Sequence, residues 1–193
     1  MNPLYLKIIY MVFYVAFGVI RRPHEKAQKK NKIVNDQKTT LEKVLLFATM
    51  LGMMLFPLLY IFSPWLNFAN YQPPVWVPIL GLLLMPFTLW LFYRSHKDLG
   101  QNWSVSLEVR DKHTLITDGV YKKVRHPMYT AIWLWVIIQA LVLSNYIGGL
   151  SGIIGFGALY FLRVYKEEDM MIKEFGTAYQ NYMQQTGRLI PKF

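Results

Sequence analysis

The sequence predicts an all-α, polytopic membrane protein, formed as a single domain over residues 1–193 with five transmembrane helices. Hydrophobic residues make up 54% of the chain, which is high for a soluble domain. The 21 Lys and Arg residues stand in blocks between apolar runs, whereas a net charge of +10 alone would also suit a nucleic-acid-binding protein. Because blocks of this kind are typical of membrane proteins, we expect no nucleic-acid partner.

Five apolar runs supply the predicted membrane helices, since a spanning helix needs about 20 mainly apolar residues. The runs are residues 4–20, 44–62, 75–93, 130–143 and 147–162. The first is predicted to be an uncleaved helix, because the basic stretch RRP follows it instead of a small-residue cleavage site. In the second run, Pro57 predicts a kink.

The last two runs are short and are predicted to form a helical hairpin. Only the segment SNYIGG separates them, which indicates a tight turn. The fifth run contains GGLSGIIGFGA, and small residues at this density let helix backbones approach closely. A glycine-rich nucleotide loop has a similar composition, but no predicted strand precedes this one, so we interpret the glycines as packing positions.

The distribution of positive charge predicts the orientation. Residues 21–43 hold eight Lys and Arg, residues 94–125 seven and residues 163–193 five, whereas residues 63–74 and 144–146 hold none. Because basic residues stay on the cytoplasmic side, we expect the N-terminus outside and the C-terminus in the cytoplasm. On this topology the glycosylation sequence at Asn102 faces inwards, so it is discounted.

Two polar segments share the predicted cytoplasmic face: a linker of 36 residues, 94–129, and a tail of 31 residues, 163–193. Connections of this length in a compact chain usually have structure or function of their own. Their mixture of charged, aromatic and aliphatic residues indicates that they fold. We therefore expect the functional site where linker and tail meet.

The stretch RHPMY, residues 125–129, is one candidate for that site. Pro127 suits the first turn of a helix, which places His126 at the helix cap and Tyr129 within the first turn. The free N–H groups and positive dipole of a helix N-terminus favour an anionic ligand. The alternative is a cap with a basic anchor at the membrane surface, and the residues alone leave both open.

The tail offers a second candidate in Arg163 and Glu167, which are four residues apart on one helical face. An ordinary pair of this spacing contributes about 0.3–0.5 kcal/mol. A guanidinium at the membrane edge is also able to bind a carboxylate in a bidentate way. Farther along, aromatic residues recur at helical spacing, which indicates a packing face, and Gly187 predicts the end of the tail helix.

Several kinds of chemistry are excluded by composition. The chain has no Cys, so thiol catalysis and disulfides are excluded. The four His residues, at 24, 96, 113 and 126, have no metal-binding spacing, so we expect no metal. Without further information, the residues indicate a membrane protein with a folded cytoplasmic face, possessing the features of an enzyme that acts on an amphiphile.

Three stretches resemble the isoprenylcysteine carboxyl methyltransferase family, in particular its compact prokaryotic members. They are HKDLGQNWS, HTLITDGVYKKVRHPMY and RVYKEEDMMIKEFGTAYQNYMQQTGRLIPKF. The combination G-x-Y-x-x-x-R-H-P-x-Y, then R-x-x-x-E, then F-G-x-x-Y-x-x-Y carries the resemblance, which extends from about residue 96 to the C-terminus. Phospholipid methyltransferases share much of this pattern.

The resemblance implies S-adenosyl-L-methionine as methyl donor, bound without a Rossmann fold. By matching motifs, the cofactor-binding residues are His113, Thr114, Leu115, Ile116, Tyr121, His126, Pro127, Met128, Tyr129 and Glu167. The implied catalytic residues are Arg163 and Glu167, with Arg163 also binding the substrate carboxylate. The implied substrate is a prenylated cysteine or a similar lipid that enters sideways from the bilayer, and no obligate protein partner is expected.

Two alternatives stay open at this point. One is methylation of a phospholipid or another lipid headgroup, for which a group that removes a proton from the acceptor would be needed. The other is a membrane scaffold that keeps the fold without catalysis. The resemblance also implies a prokaryotic inner or plasma membrane as the location.

Overall fold

The fold is given by a computed structural model, which describes residues 2–28, 33–36, 39–102, 108–110 and 114–192. Its helices are α1 Pro3–Gln28, α2 Thr40–Met50, α3 Phe56–Phe62, α4 Trp76–Leu99, α5 Pro127–Val142, α6 Tyr146–Phe175 and α7 Thr177–Gln185. A π-helical segment, Leu51–Leu55, joins α2 to α3 without interruption.

Four helical stretches in the described part of the chain are long and apolar enough to cross a bilayer: Pro3–Lys26, Thr40–Phe62, Trp76–Leu99 and Tyr146–Phe175. The chain is therefore an integral, multi-pass membrane protein. The remaining apolar helix, α5, has 16 residues. At about 1.5 Å per residue it is shorter than the roughly 30 Å hydrocarbon core, so five crossings stay a prediction.

Several predicted helix ends are wrong because charged residues did not stop the helices. The third predicted run ends at residue 93, but α4 continues to Leu99. The fifth ends at residue 162, but α6 continues to Phe175, so Arg163 lies well inside a helix. Lys, Arg and Glu are good helix formers, and the Arg94–Asp98 pair, at 3.2 Å, adds to the last turn of α4. Gly176, with a φ of 55°, ends α6.

The predicted kink at Pro57 is a π-helical segment immediately before it. Proline lacks the N–H that would bond four residues back, so the helix must rearrange there. In the rearranged segment the carbonyl of Gly52 accepts hydrogen bonds from Gln139 Nε2 (3.0 Å) and Ser151 Oγ (2.8 Å). The irregular turn is therefore tied to both α5 and α6.

The chain also contains two short strands that the sequence did not predict. The strands β1 Ile33–Asp36 and β2 Glu108–Arg110 pair antiparallel, with Asp36 opposite Glu108. They join the polar connection after α1 to the polar connection after α4, both at the same end of the bundle.

The core is built around α5, which packs between α4 and α6. Ala131, Val136 and Ile138 are completely buried, and so is the polar Gln139. The Gln139 side chain accepts from the Tyr10 hydroxyl (3.1 Å) and also donates to the Gly148 carbonyl (2.8 Å). This one side chain therefore connects α5 to α1 and α6, and by its contact with Gly52 to the π-helical segment, in an environment without water.

The glycines of α6 are packing positions, as predicted. A Cβ atom placed on Gly152 would lie 2.8 Å from Gln139 Oε1 of α5, and one on Gly155 would lie 2.7 Å from the Ala48 carbonyl of α2. A Cβ on Gly148 would lie 2.8 Å from Tyr60 of α3. The absence of side chains on these faces lets α6 contact α5 on one side and the α2–α3 helix on the other.

The two ends of the bundle differ in chemistry. At one end, Asn145 caps α6 by accepting from the Gly148 N–H (2.8 Å) and also donates to Asn70 (2.8 Å). That end carries exposed aromatic residues such as Trp65 and Phe68. The opposite end contains the polar connections, the strand pair and α7. The candidate functional site lies at this end.

Replacing Gly155 with Ala is expected to destabilise the bundle. The new Cβ would meet Ala48 O at 2.7 Å and Thr49 Cα at 3.1 Å, so α2 and α6 would have to separate. Overpacking of this kind costs about 1–3 kcal/mol, which should lower the thermal midpoint followed by circular dichroism in detergent. Gly18 is the matched control, because nothing lies within 4 Å of a Cβ placed there. Equal midpoints for Gly155→Ala and Gly18→Ala would contradict this account of the packing.

Candidate functional site

A cavity of about 250 Å³ lies at the polar end of the bundle. It brings together nine of the residues predicted for the site: Thr114, Leu115, Ile116, Tyr121, His126, Met128, Tyr129, Arg163 and Glu167. Pro127 begins α5 and is buried, but it does not line the cavity. His113 lies outside the described residues, so its predicted role is not addressed by the structure.

The cavity has a polar part and an apolar part. Along α6 its lining residues run from Phe156 and Leu159, on the membrane side, through Arg163 to Glu167 and Met170. The membrane-side wall is completed by Leu46, Thr49, Met53, Ile132 and Trp135. The other part is lined by Tyr121, by Tyr179 and Tyr182 of α7, and by residues 114–116. A ligand with a polar head and an apolar chain would match this division.

Arg163 stands where the two parts meet, with 8% of its surface exposed. Its Nη1 atom lies 3.4 Å from Glu42 Oε1 at the start of α2, and its Nε atom lies 3.6 Å from Glu167 Oε2. The predicted i,i+4 pair with Glu167 is therefore present. The pair with Glu42 was not predicted, since the two residues are far apart in the sequence.

Glu167 faces the cavity and is held by the first turn of α5. The Tyr129 hydroxyl donates to Glu167 Oε2 at 2.5 Å, and His126 Nδ1 lies 3.7 Å from Glu167 Oε1. The rings of His126 and Tyr129 stack with centroids 5.4 Å apart. One oxygen of this carboxylate is thus engaged by a hydroxyl, and the other has no hydrogen bond among the described residues.

Glu168, the next residue, has a different environment, because it points away from the cavity and is only 3% exposed. Its Oε1 atom accepts from Arg125 Nε (3.1 Å) and contacts His126 Nε2 (3.2 Å). Arg188 donates from Nε (3.1 Å) to Oε1 and from Nη2 (2.6 Å) to Oε2. The carboxylate therefore joins α6 to the residues before α5 and to the segment after α7.

The segment after α7 is also held by backbone hydrogen bonds. Gly187 N–H donates to the Lys123 carbonyl (3.2 Å), and the Arg125 N–H donates to the Gly187 carbonyl (2.8 Å). Arg125 Nη1 donates to the carbonyls of Met183 and Thr186. A side chain at Gly187 would collide with the Ile190 carbonyl, so only glycine fits this position. The tail thus fixes the chain that leads into α5.

Tyr121 is positioned by the end of α4. Gly119 has a φ of 61° and lies so close to Asp98 that a side chain there would collide with the carboxylate. Asp98 accepts from the Val120 N–H (3.0 Å), and the Tyr121 hydroxyl donates to the Ser95 carbonyl (3.2 Å). Burial raises the pKa of the Tyr121 hydroxyl well above its usual value, so the phenol stays protonated and keeps this donor.

Tyr182 of α7 lines the cavity beside Tyr121. Its hydroxyl donates to the Tyr121 carbonyl at 2.6 Å. Burial raises the pKa of Tyr182 to about 12, although the nearby Arg125 guanidinium acts in the opposite direction. The hydrogen bond between α7 and the Tyr121 segment is therefore kept throughout the physiological pH range.

Asn102, which follows α4, lines the cavity and also makes two hydrogen bonds to Thr114. Its Nδ2 donates to Thr114 Oγ1 (3.0 Å), and the Thr114 N–H donates to its Oδ1 (3.1 Å). Because Asn102 had been considered only as a glycosylation position, the sequence did not predict this role. The paired amide brings residue 114 and its neighbours to the cavity.

The charged residues Glu42, Glu168 and Arg188, which form ion pairs around the cavity, were also not predicted. Glu168 had a usable signal, since it continues the buried face of α6 at four-residue spacing after Tyr160 and Val164. Within the described ranges, no group of three or more His, Asp or Glu side chains is arranged to hold a metal ion.

The fold and the cavity together define a class of protein. It is a multi-pass, α-helical membrane protein in which a cavity, partly polar and partly apolar, lies at the polar end of the bundle. A sequence model of the isoprenylcysteine carboxyl methyltransferase (ICMT) family matches residues 79–173. The chain belongs to this family, as the resemblance predicted.

Relatives of known identity agree with the family. The chain is 32% identical over 142 residues to the protein-S-isoprenylcysteine O-methyltransferase of Dictyostelium discoideum, covering 70% of this chain and 53% of that protein. It is 31% identical over 138 residues to the human protein of the same name, covering 67% and 49% of the two chains. It is 24% identical over 156 residues to protein-S-isoprenylcysteine O-methyltransferase B of Arabidopsis thaliana, covering 80% of this chain and 79% of that protein.

A solved structure has a similar fold. It is that of the eukaryotic intramembrane Ras methyltransferase ICMT, with 26% identity and a TM-score of 0.55, covering 82% of this chain and 54% of that one. The chain spans about half the length of this protein and of the Dictyostelium and human relatives.

Replacing Glu168 with Gln is expected to destabilise the protein much more than the same change at Glu167. The Glu168 variant leaves the buried Arg125 guanidinium and the partly exposed Arg188 without their carboxylate. Removing one partner of a buried ion pair costs about 3–5 kcal/mol, and the thermal midpoint in detergent should fall accordingly.

Glu167→Gln is the matched control, because its side chain is 26% exposed and faces the cavity. Its midpoint should stay close to that of the unchanged protein. If the two variants melt at the same temperature, Glu168 does not hold the three segments together.

Proposed function

We propose that the protein is an S-adenosyl-L-methionine-dependent methyltransferase that methyl-esterifies the carboxylate of a prenylated cysteine, or of a similar lipidic acid, at the membrane. The observation that carries the proposal is the cavity, which places Arg163 between a wall of membrane helices and a group of polar residues around Glu167. The names of the relatives and of the solved ICMT structure support the same chemistry.

The residues of the polar part fit the methyl donor. Glu167 presents one oxygen that makes no hydrogen bond among the described residues, and such an oxygen suits the hydroxyl or ammonium donors of S-adenosyl-L-methionine. The aromatic side chains of Tyr121 and Tyr182, with Leu115 and Ile116, supply apolar surface for a planar base. When bound, the donor supplies an electrophilic methyl group on a sulfonium sulfur.

The other proposed donor-binding residues fall into two groups. Thr114, His126, Met128 and Tyr129 line the cavity, and their place beside Glu167 supports the proposal. His113 and Pro127 are proposed from the resemblance alone. Pro127 would act indirectly, since it begins α5 and thereby sets the direction of the Tyr129 side chain.

Arg163 is proposed to hold the acceptor carboxylate. A guanidinium matches a carboxylate with two parallel hydrogen bonds, and its burial to 8% exposure strengthens that contact. A carboxylic acid with an ordinary pKa of about 4 is already ionised near neutral pH, so the nucleophile needs no general base. What the chain must supply is alignment of the reacting atoms and exclusion of water.

The apolar part is proposed to receive the lipid tail of the acceptor. Leu46, Met53 and Leu159 belong to membrane-spanning helices and line the cavity next to Arg163. A lipid anchored in the bilayer would reach them from the side while its polar head meets the guanidinium. Membrane lipids themselves are the expected neighbours of these helices.

The polar end of the bundle is proposed to face the cytoplasm, with α5 as the fifth crossing. Exposed basic residues at that end include Lys122, Lys123, Lys166 and Lys173. In contrast, the loop between α3 and α4 has no Lys or Arg. This asymmetry supports an outer N-terminus and a cytoplasmic C-terminus. The inner or plasma membrane of a prokaryotic cell is proposed from the resemblance alone.

Glu167→Ala is expected to weaken binding of S-adenosyl-L-methionine by tenfold or more, because a hydrogen bond to a charged group contributes about 1.5–3 kcal/mol. The measurement is isothermal calorimetry on detergent-purified protein. Glu174→Ala, an exposed position on the same helix, is the matched control. Unchanged affinity in the Glu167 variant would remove this residue from the donor site, and no binding by the unchanged protein would favour the scaffold alternative.

Arg163→Ala is expected to lose methyl transfer to a farnesyl cysteine acceptor, because the proposed acceptor contact is removed. Donor binding should be retained, because Tyr129 still holds Glu167. Arg163→Lys separates charge from shape: an ammonium keeps the charge but not the two parallel hydrogen bonds, so we expect low residual activity. Normal turnover by both variants would refute the carboxylate role. Turnover of an aminolipid instead of the prenyl acid would establish the headgroup alternative.

A further inference from the structure

Glu42 is an acidic side chain that faces the same guanidinium as the proposed acceptor. It lies in the first turn of α2, is 4% exposed, and has its Oε1 atom 3.4 Å from Arg163 Nη1. Residue 42 precedes the region 79–173 that the family model matches. Its role has to be derived from its surroundings in this structure.

The start of α2 gives the Glu42 carboxylate a second position. Thr39 is the N-cap, and its hydroxyl oxygen accepts from the Glu42 N–H at 3.2 Å. The pattern Thr-x-x-Glu is that of a capping box, in which the glutamate carboxylate in turn accepts from the N–H of the capping threonine. The Glu42 carboxylate therefore has two possible donors: the Arg163 guanidinium, which it faces, and the Thr39 N–H, which the capping-box pattern offers.

The contact between Glu42 and Arg163 is one that another carboxylate could replace. Its length of 3.4 Å, like the 3.6 Å between Arg163 and Glu167, exceeds the 2.7–2.9 Å of a charge-assisted hydrogen bond. These are ion pairs held by burial and charge rather than by close hydrogen bonding. A carboxylate ligand that approached the guanidinium in a bidentate geometry would bind it more strongly than Glu42 does.

Charge supports the same conclusion. Arg163 carries one positive charge and, among the contacts of the described residues, faces two carboxylates, those of Glu42 and Glu167, which offset its attraction for an incoming anion. An acid is able to bind there without excess negative charge at the guanidinium only if one of the two carboxylates moves away. Glu42 has an alternative partner in the helix cap, whereas Glu167 is held by Tyr129.

We propose that Glu42 is a place-holder for the acceptor carboxylate: the acceptor displaces it from Arg163, and Glu42 then moves to the N-terminal cap of α2. This inference rests on the proposed transfer to a carboxylate. Glu42 acts through Arg163 and is a positioning residue that never touches the transferred methyl group. It keeps the buried guanidinium paired before the acceptor arrives and makes binding depend on the negative charge of the acceptor.

The test is binding of two farnesyl probes to the full-length protein in detergent. One is S-farnesylthioacetic acid, and the other is its carboxamide, which keeps the chain and lacks the charge. Saturating S-adenosylhomocysteine occupies the donor site and prevents turnover, and calorimetry gives the dissociation constants. The variants are Glu42→Gln, which keeps the size and removes the charge, and Glu174→Gln as an exposed control on α6.

We expect Glu42→Gln to tighten binding of the acid about tenfold, the size expected when a competing charge close to the guanidinium is removed. Affinity for the carboxamide and for S-adenosylhomocysteine should change less than twofold. In turnover with a farnesyl cysteine, KM should fall and kcat should not rise. Glu174→Gln should leave all five quantities unchanged.

Weaker acid binding by Glu42→Gln would overturn the proposal, because Glu42 would then support the guanidinium in the bound state. Equal shifts for the acid and the carboxamide would also overturn it, since they would report a change of shape. If the unchanged protein binds S-adenosylhomocysteine but neither binds nor methylates the acid, the proposed function itself fails. Normal methylation with an unaltered acid-to-amide ratio rejects only the place-holder.

If Glu42→Gln does not fold, the same binding measurements are made on Glu42→Asp. Aspartate keeps the negative charge but is shorter by one methylene group, so its contact with Arg163 is longer. The acid should bind two- to threefold more tightly, with no change for the carboxamide. An unchanged ratio of the two affinities in this variant would likewise reject the proposal.

Discussion

The polar end of the bundle depends on one buried carboxylate, that of Glu168. It receives Arg125 and His126 from the chain before α5, and Arg188 from the chain after α7. A buried charge is tolerated only where its partners are in place, so these distant segments fold together or not at all. Arg125 and His126 line the cavity and contact Glu168 directly, and Tyr129, one turn into α5, takes its position from this assembly.

The cavity exists because α6 changes character along its length. In its first half, Gly155 lies against the backbone of α2 and Gly152 against the Gln139 side chain of α5, with no space for a further side chain. Beyond Gly157 the same helix carries Leu159, Arg163 and Glu167, whose larger side chains line an opening. The close packing of the glycine-rich half of α6 therefore closes the cavity on the membrane side. The ionic contacts at the other end hold the lining segments in place.

Local patterns indicated part of the cavity lining, the family resemblance added Thr114, Leu115, Ile116 and Tyr121, and long-range contacts supplied what was missed. RHPMY and the Arg163/Glu167 spacing could be interpreted from helix geometry alone, and the glycines of α6 were recognised as packing positions. Glu42 was hidden, since its spacing from Thr39 fits a capping box and nothing local connects it to residue 163. The helix ends after residues 93 and 162 were wrong for a related reason: a charged residue ends the apolar run but not the hydrogen-bonded helix.

The π-helical segment Leu51–Leu55 determines the direction in which the side chains of α2 point relative to those of α3. Each residue of an α-helix turns the chain by about 100°, so the extra residue of a π turn rotates everything before it relative to everything after it. Leu46 and Thr49, before this offset, and Met53, within it, face the cavity. After it, Tyr60 packs against α6. A homologue that loses a single residue here would turn its cavity wall towards lipid while its membrane anchor stayed in place, so this segment sets the phase between the two halves of the helix.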